Sequence, residues 1–86
     1  GNPKPKFIIN DVVIRYPRVV GEKHLSFYFE DSYSTRIKAI SFGSLGTKLG
    51  DVIKSSAPIK SALVSITLNS WDGQENAELN VEDLII

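Results

Sequence analysis

Apolar and polar side chains alternate along most of this chain, and one stretch sets the pattern. Between Gly21 and Asp31, Leu25, Phe27 and Phe29 share one parity while His24, Ser26, Tyr28 and Glu30 hold the other. A period of two is the signature of a strand with one face in a core. Three large residues in five positions make this the densest apolar anchor, the strand against which the others are laid. The opposite face offers an imidazole, a hydroxyl and a phenol, groups suited to meeting a ligand.

The rest of the chain follows in order. Gly1 to Lys6 contains two prolines and little apolar content, so it reads as an extended lead-in. Phe7-Ile8-Ile9 is a short apolar hook before a turn at Asn10-Asp11. Residues 1–10 are thus expected to lead in from a missing upstream domain, and residues 11–86 to form the folded domain. The first strand is expected from Val12 to Val20, with Ile14 and Tyr16 on the face opposite Val13 and Arg15. Pro17 cannot donate to a ladder and predicts a bulge or bend. A third strand is expected from about Thr35 to Gly43. A bulge near Lys38-Ala39 would bring Ile37, Ile40 and Phe42 inside and leave Arg36 and Lys38 outside.

Between Ser44 and Ala57 the period changes. Leu49, Val52 and Ile53 recur at helical spacing, Thr47 can cap the N-terminus and Pro58 stops the segment. A fourth strand is expected from about Lys60 to Asn69, with Val64, Ile66 and Leu68 on one face. Asp72-Gly73 signals a hairpin within the loop Ser70 to Glu75. In the last strand, from Asn76 onward, Ala77, Leu79 and Val81 alternate with Glu78, Asn80 and Glu82.

Five strands with one short helix between the third and fourth is the OB-fold arrangement, a five-stranded Greek-key barrel. An SH3-like barrel is the nearest competitor, but it usually lacks a helix of this length at that place.

Composition narrows the function. The 86 residues suffice for one small domain. An apolar share of 42% beside 23% charged residues is that of an ordinary globule rather than a disordered chain. Without cysteine there is no disulfide framework, thiolate metal site or thiol nucleophile. No apolar run approaches the ~20 residues that span a bilayer, and no signal-peptide pattern opens the chain. The expectation is a cytoplasmic protein with no membrane partner. The zero net charge conceals an asymmetry: all ten Lys and Arg lie between Lys4 and Lys60 against five acids, whereas residues 61–86 carry five acids and no base. A polyanion could meet a basic face built by the early strands, although small domains also show such imbalance by chance.

Catalytic chemistry has little to work with. One histidine, no nucleophile elbow and no aspartate-rich metal motif are present. The run Gly43 to Lys48 misses the spacing of a phosphate-binding loop. His24 with Glu22 or Glu30 could form an acid–base pair, but an exposed or edge histidine with no chemistry is the simpler account. Binding is better provided for. On an OB-fold the ligand lies over strands two and three and the adjoining loops, which here hold Lys23, His24, Ser26, Tyr28, Arg36, Lys38, Asn69, Trp71 and Gln74. Cations beside aromatics suit single-stranded nucleic acid. Trp71 either stacks on a base or folds back over the barrel end.

Five blocks resemble a known family. Gly1-Asn2-Pro3-Lys4-Pro5-Lys6-Phe7 is similar to the G-N-P-x-P-x-F segment leading into the C-terminal OB domain of RecJ exonucleases, and Val20-Gly21-Glu22-Lys23-His24-Leu25 to that family's V-G-x-x-H-L turn. Ala39-Ile40-Ser41-Phe42-Gly43 resembles its A-I-A-F-G/N element, Leu68-Asn69-Ser70-Trp71-Asp72-Gly73 its L/I-N-x-W/F-x-G loop, and Leu79 to Leu84 its closing strand. Ser44 to Lys60 matches least. The resemblance implies a parent enzyme that degrades single-stranded DNA from the 5′ end with Mn or Mg, in recombination and repair. The family's metal ligands lie in an upstream catalytic domain and none of those motifs occurs here, so the fragment is expected to have no cofactor and no hydrolytic activity. Its implied role is to hold or guide single-stranded DNA, with Lys23, His24, Tyr28, Arg36, Lys38 and Trp71 as the candidate contacts. The implied partners are the upstream catalytic domain of the same chain and, by extension, single-strand binding protein. The alternative is a structural or protein-interaction module that closes the exonuclease ring without touching DNA. An autonomous enzyme is the remaining reading.

Overall fold

The computed structural model describes residues 5–71 and 73–86, with the side chains of positions 69, 70, 71 and 75 outside that description. The expected contact at Trp71, the Asp72 turn residue and the start of the lead-in therefore lie outside the described residues. Its organising element is β1 (Lys6–Val20), 15 residues long and shared between two pairings. Its first half pairs antiparallel with β4 (Pro58–Trp71), from Lys6 opposite Ser65 to Val13 opposite Pro58. Its second half pairs with β2 (His24–Glu30), from Val13 opposite Glu30 to Val20 opposite His24.

The strand expected from Val12 thus begins at Lys6, and the hook Phe7-Ile8-Ile9 is part of it. Asp11 adopts a left-handed φ of 56°, as the turn signal suggested, but Asn10 and Val12 keep their ladder partners Ser61 and Ile59. The turn residue becomes a kink. It exchanges the strand's faces, so that Ile9 packs on the core from one parity and Val12 and Ile14 from the other.

β3 (Arg36–Ser41) pairs with β2 through six successive partners, Leu25 with Ser41 to Glu30 with Arg36, without a register shift. The bulge expected near Lys38-Ala39 is absent. The inner positions are Ala39 and Ser41, both fully covered, while Phe42 is exposed. The reason is volume: Phe27 and Leu25 face these positions from β2 and fill the interior, which leaves room only for small partners. The apolar residues Ile40 and Phe42 are displaced outward.

α1 (Lys48–Ser55) starts where expected. Thr47 Oγ1 accepts from the Gly50 backbone N–H at 3.1 Å, and a left-handed Ser56 ends the helix by donating its N–H to the Ile53 carbonyl. The helix closes one end of the barrel by burying Ile53, with Leu49 and Val52 packed beside it. Gly50 is required here because a methyl group would collide with the Ser44 carbonyl.

β4 forms a long antiparallel ladder with β5 (Gln74–Ile85), from Ser61 opposite Ile85 to Trp71 opposite Gln74. β3 meets β5 in parallel through Ala39–Leu79 and Ile40–Asn80, completing a closed barrel in the order β1-β2-β3-β5-β4. The core holds Ile14, Leu25, Phe27, Phe29, Ile53, Ile59, Val64 and smaller neighbours. The rings of Phe27 and Phe29 meet edge to face at 5.1 Å, and each such side chain contributes about 1.5–3 kcal/mol on burial. The barrel end away from the helix opens into an apolar cleft of about 560 Å³ lined by Phe7, Ile8, Phe29, Ile37, Val64 and Ile66 among others.

Candidate nucleic-acid interface

Because Leu25, Phe27 and Phe29 point inward, alternation turns His24, Ser26, Tyr28 and Glu30 to the other side of β2, where Tyr28 is exposed, His24 and Glu30 are half-buried and Ser26 is buried. Register then assembles rows across β1, β2 and β3. Tyr28 lies between Arg15 and Lys38, Glu30 between Val13 and Arg36, and Ser26 between Arg18 and Ile40.

The Tyr28 row gains an aromatic neighbour through a backbone irregularity. The β1 register shifts between Arg15 and Arg18, around Pro17, and Tyr16 takes a left-handed φ of 57°. A bulge re-aims side chains. Ile14 stays in the core, whereas Tyr16, expected beside it, turns out and is 60% exposed. Its ring meets Tyr28 edge to face at 6.3 Å, and the Arg36 guanidinium sits 5.2 Å from the Tyr16 ring centre.

Charge on this face is organised by carboxylates. Glu30 accepts from Arg36 Nε at 2.6 Å and from Arg15 Nε at 3.3 Å. Its side chain is only 11% exposed, against about half for each arginine. The Arg36 hydrogen bond holds the Glu30 carboxyl below its usual range, opposed by partial desolvation and reinforced by Arg15. The same bond raises the Arg36 guanidinium. Lys38 Nζ lies 3.6 Å from the Glu78 carboxylate of β5.

His24 is tied to the framework. Its Nδ1 accepts a 2.8 Å hydrogen bond from the Gly43 backbone N–H, and its ring meets Phe42 edge to face at 5.2 Å. Lys23 lies in the turn before β2, where its carbonyl accepts from Leu45 N–H at 2.9 Å, and its side chain is exposed. Gly21, with φ of 64°, allows this turn.

The structure therefore brings Tyr28, Arg36 and Lys38 together, and sets Lys23 and His24 at the other end of the same face. Tyr16, Arg15 and Glu30 were missing from the candidate residues. The Tyr16-Pro17 pair in a strand was the one available signal for the first. Among the described residues no group of three or more His, Asp or Glu is placed to hold a metal ion. No helix among the described residues is long and apolar enough to cross a membrane.

A closed five-stranded barrel with one helix between β3 and β4 is an OB-fold. The model of the RecJ OB domain matches residues 1–83, and the chain belongs to that family. No curated protein and no solved structure gives a significant match. An OB domain alone is not catalytic.

Proposed function

We propose that this domain binds single-stranded DNA across the outer face of β1–β3, as the guiding module of a RecJ-type 5′-to-3′ exonuclease. The observation that carries the reading is the Tyr16–Tyr28 ring pair beside Arg15, Arg36 and Lys38 on one open sheet face. Aromatic rings accept bases at about 1–3 kcal/mol per stack, and the cations track the backbone. The strand would pass to an upstream catalytic domain of the parent chain, whose Mn or Mg would do the hydrolysis. Recombination and repair in the cytoplasm is the corresponding setting. Since Arg15, Arg36 and Lys38 already have carboxylate partners, binding is weak and salt-sensitive, nearer the ~10⁻⁴ M end of non-specific affinities. Titration of the 86-residue chain with a short oligonucleotide at low salt tests this. Amide signals of Tyr28 and of Arg36 to Lys38 shift together if the reading is right; a flat response there refutes it.

A second reading is supported by the apolar cleft at the open barrel end. Phe7, Ile8, Ile37 and Ile66 are all more than a third exposed around it, which suits a module that packs on the catalytic domain or on a partner such as single-strand binding protein. Replacing Arg36 and Lys38 by Ala in the parent enzyme separates the two: lost DNA affinity favours the first, unchanged affinity with a sound fold the second.

A further inference from the structure

The face that carries Tyr28 continues past it to a second aromatic group. His24 lies four residues earlier on β2, on the same side. Phe42, just after β3, packs its ring edge to face against His24 at 5.2 Å and is 59% exposed. The pair is held rigidly, because the Gly43 N–H next to Phe42 donates to His24 Nδ1 at 2.8 Å. An exposed phenylalanine ring fixed in this way presents a flat apolar surface at no further ordering cost.

We propose that Phe42, positioned by His24, is a second base-stacking station on the same DNA path as Tyr28. The proposal rests on the reading of this face as a DNA site. Along β2 the two stations are about 13 Å apart at 3.2–3.4 Å per residue. A strand stacked at the helical rise of about 3.4 Å covers that distance in roughly four steps, and an extended strand in fewer. A dinucleotide can occupy one station; a hexanucleotide can occupy both. Between them lies the Arg18–Ser26–Ile40 row, in which Arg18 is exposed, Ile40 half-buried and Ser26 buried, so that Arg18 is the group a strand would meet there, and exposed Lys23 flanks the Phe42 end. Among the described residues neither Arg18 nor Lys23 has a carboxylate partner, unlike Arg15, Arg36 and Lys38. The uncompensated positive charge therefore lies along the gap and its far end, where the phosphates linking two stacked bases would run.

The experiment is a low-salt amide-shift titration of the 86-residue chain with dT2 and dT6, using the unaltered protein, Phe42→Leu and Tyr28→Leu. In the unaltered protein, dT6 is expected to shift Tyr28 and Gly43 with one common midpoint. It should bind at least 5-fold more tightly than dT2, as one further stack provides. Phe42→Leu should weaken dT6 by about 5-fold or more and abolish the advantage over dT2, with the spectrum otherwise unchanged. If Phe42→Leu binds dT6 like the unaltered protein while Tyr28→Leu is weakened, the second station is overturned and the DNA face stands. If dT6 shifts neither end, both readings fall. Should Phe42→Leu fold poorly, the Gly43 shift in the unaltered protein decides, and its absence when Tyr28 responds overturns the second station.

Discussion

Arg36 and Glu30 are direct cross-strand partners on β3 and β2, and their side chains meet at 2.6 Å on the open face of the barrel. The carboxylate also holds Arg15, so one acid orders two guanidiniums beside the Tyr16–Tyr28 pair.

The first consequence concerns pH. The Arg36 hydrogen bond depresses the Glu30 carboxyl in the folded state, whereas an unfolded glutamate titrates near its ordinary value of about 4.3. A depressed folded value means stabilisation that is fully present above the unfolded value and is lost as pH falls through the folded one. The Glu30 side-chain carboxyl signal, followed by NMR from about pH 6 downward, should titrate below the ordinary glutamate value. In Arg36→Ala that midpoint should move back up. An unmoved midpoint would show that Arg36 does not engage the carboxylate in solution.

The same arrangement would restrain the proposed DNA binding. Any phosphate approaching Arg36 or Arg15 competes with Glu30. Glu30→Gln should therefore raise affinity for a dT6 oligonucleotide several-fold. It should also steepen the salt dependence by roughly 0.7 for each additional phosphate that the freed arginines engage. Affinities measured at about 50 and 200 mM salt check this. If Glu30→Gln left both affinity and slope unchanged, the two arginines would not belong to the DNA path.

Gly50 behaves unlike most helical glycines. Replacing Gly by Ala inside a helix ordinarily stabilises by up to ~1 kcal/mol. Here the added methyl meets the Ser44 carbonyl of the loop that precedes the helix. Gly50→Ala is expected to destabilise by about 1–3 kcal/mol, as overpacking does, and urea denaturation would measure it. A rise in stability would mean that the Ser44 loop yields freely.

Ser56 offers the opposite sign. It occupies the left-handed cap of α1 at φ 56°, a conformation that costs an L-residue roughly 1–2 kcal/mol. Glycine avoids that cost and loses about 0.5–1 kcal/mol in chain entropy. Ser56→Gly should stabilise the domain by about 0.5–1 kcal/mol in thermal or urea melts. A loss would indicate that the serine side chain itself supports the cap.

Legibility in the sequence varied with the physics of each segment. β2 could be read from alternation because large residues occupy every inner position. The Thr47–Pro58 helix was readable from its capping chemistry. On β3 hydrophobicity does not mark the inside, because packing against Phe27 and Leu25 selects the small Ala39 and Ser41. At Asp11 a turn residue was present, but the ladder on both sides turned it into a kink. In the site, Tyr28 followed from parity; Arg36 and Lys38 lie outside as expected, but through unbroken alternation on β3 rather than through the expected bulge. Pro17 marked the bulge, yet nothing local to it says that the preceding tyrosine turns outward. The ion pairs were hidden for another reason. Glu78 reaches Lys38 only because β5 closes the barrel beside β3.

That closing seam has its own consequence. β3 and β5 are joined by two backbone pairs, Ala39–Leu79 and Ile40–Asn80, with the Lys38–Glu78 ion pair beside them. Every other neighbouring pair of strands in the barrel shares at least six partners. The wall is therefore unevenly fastened, and thermal fluctuation will part it first along this line. A sub-global opening there would swing β3, with Lys38, away from β5 while β1 and β2 stay joined. Such an opening would part Lys38 from Glu78 and uncouple β3 from β5 while the other strand pairings hold the barrel together.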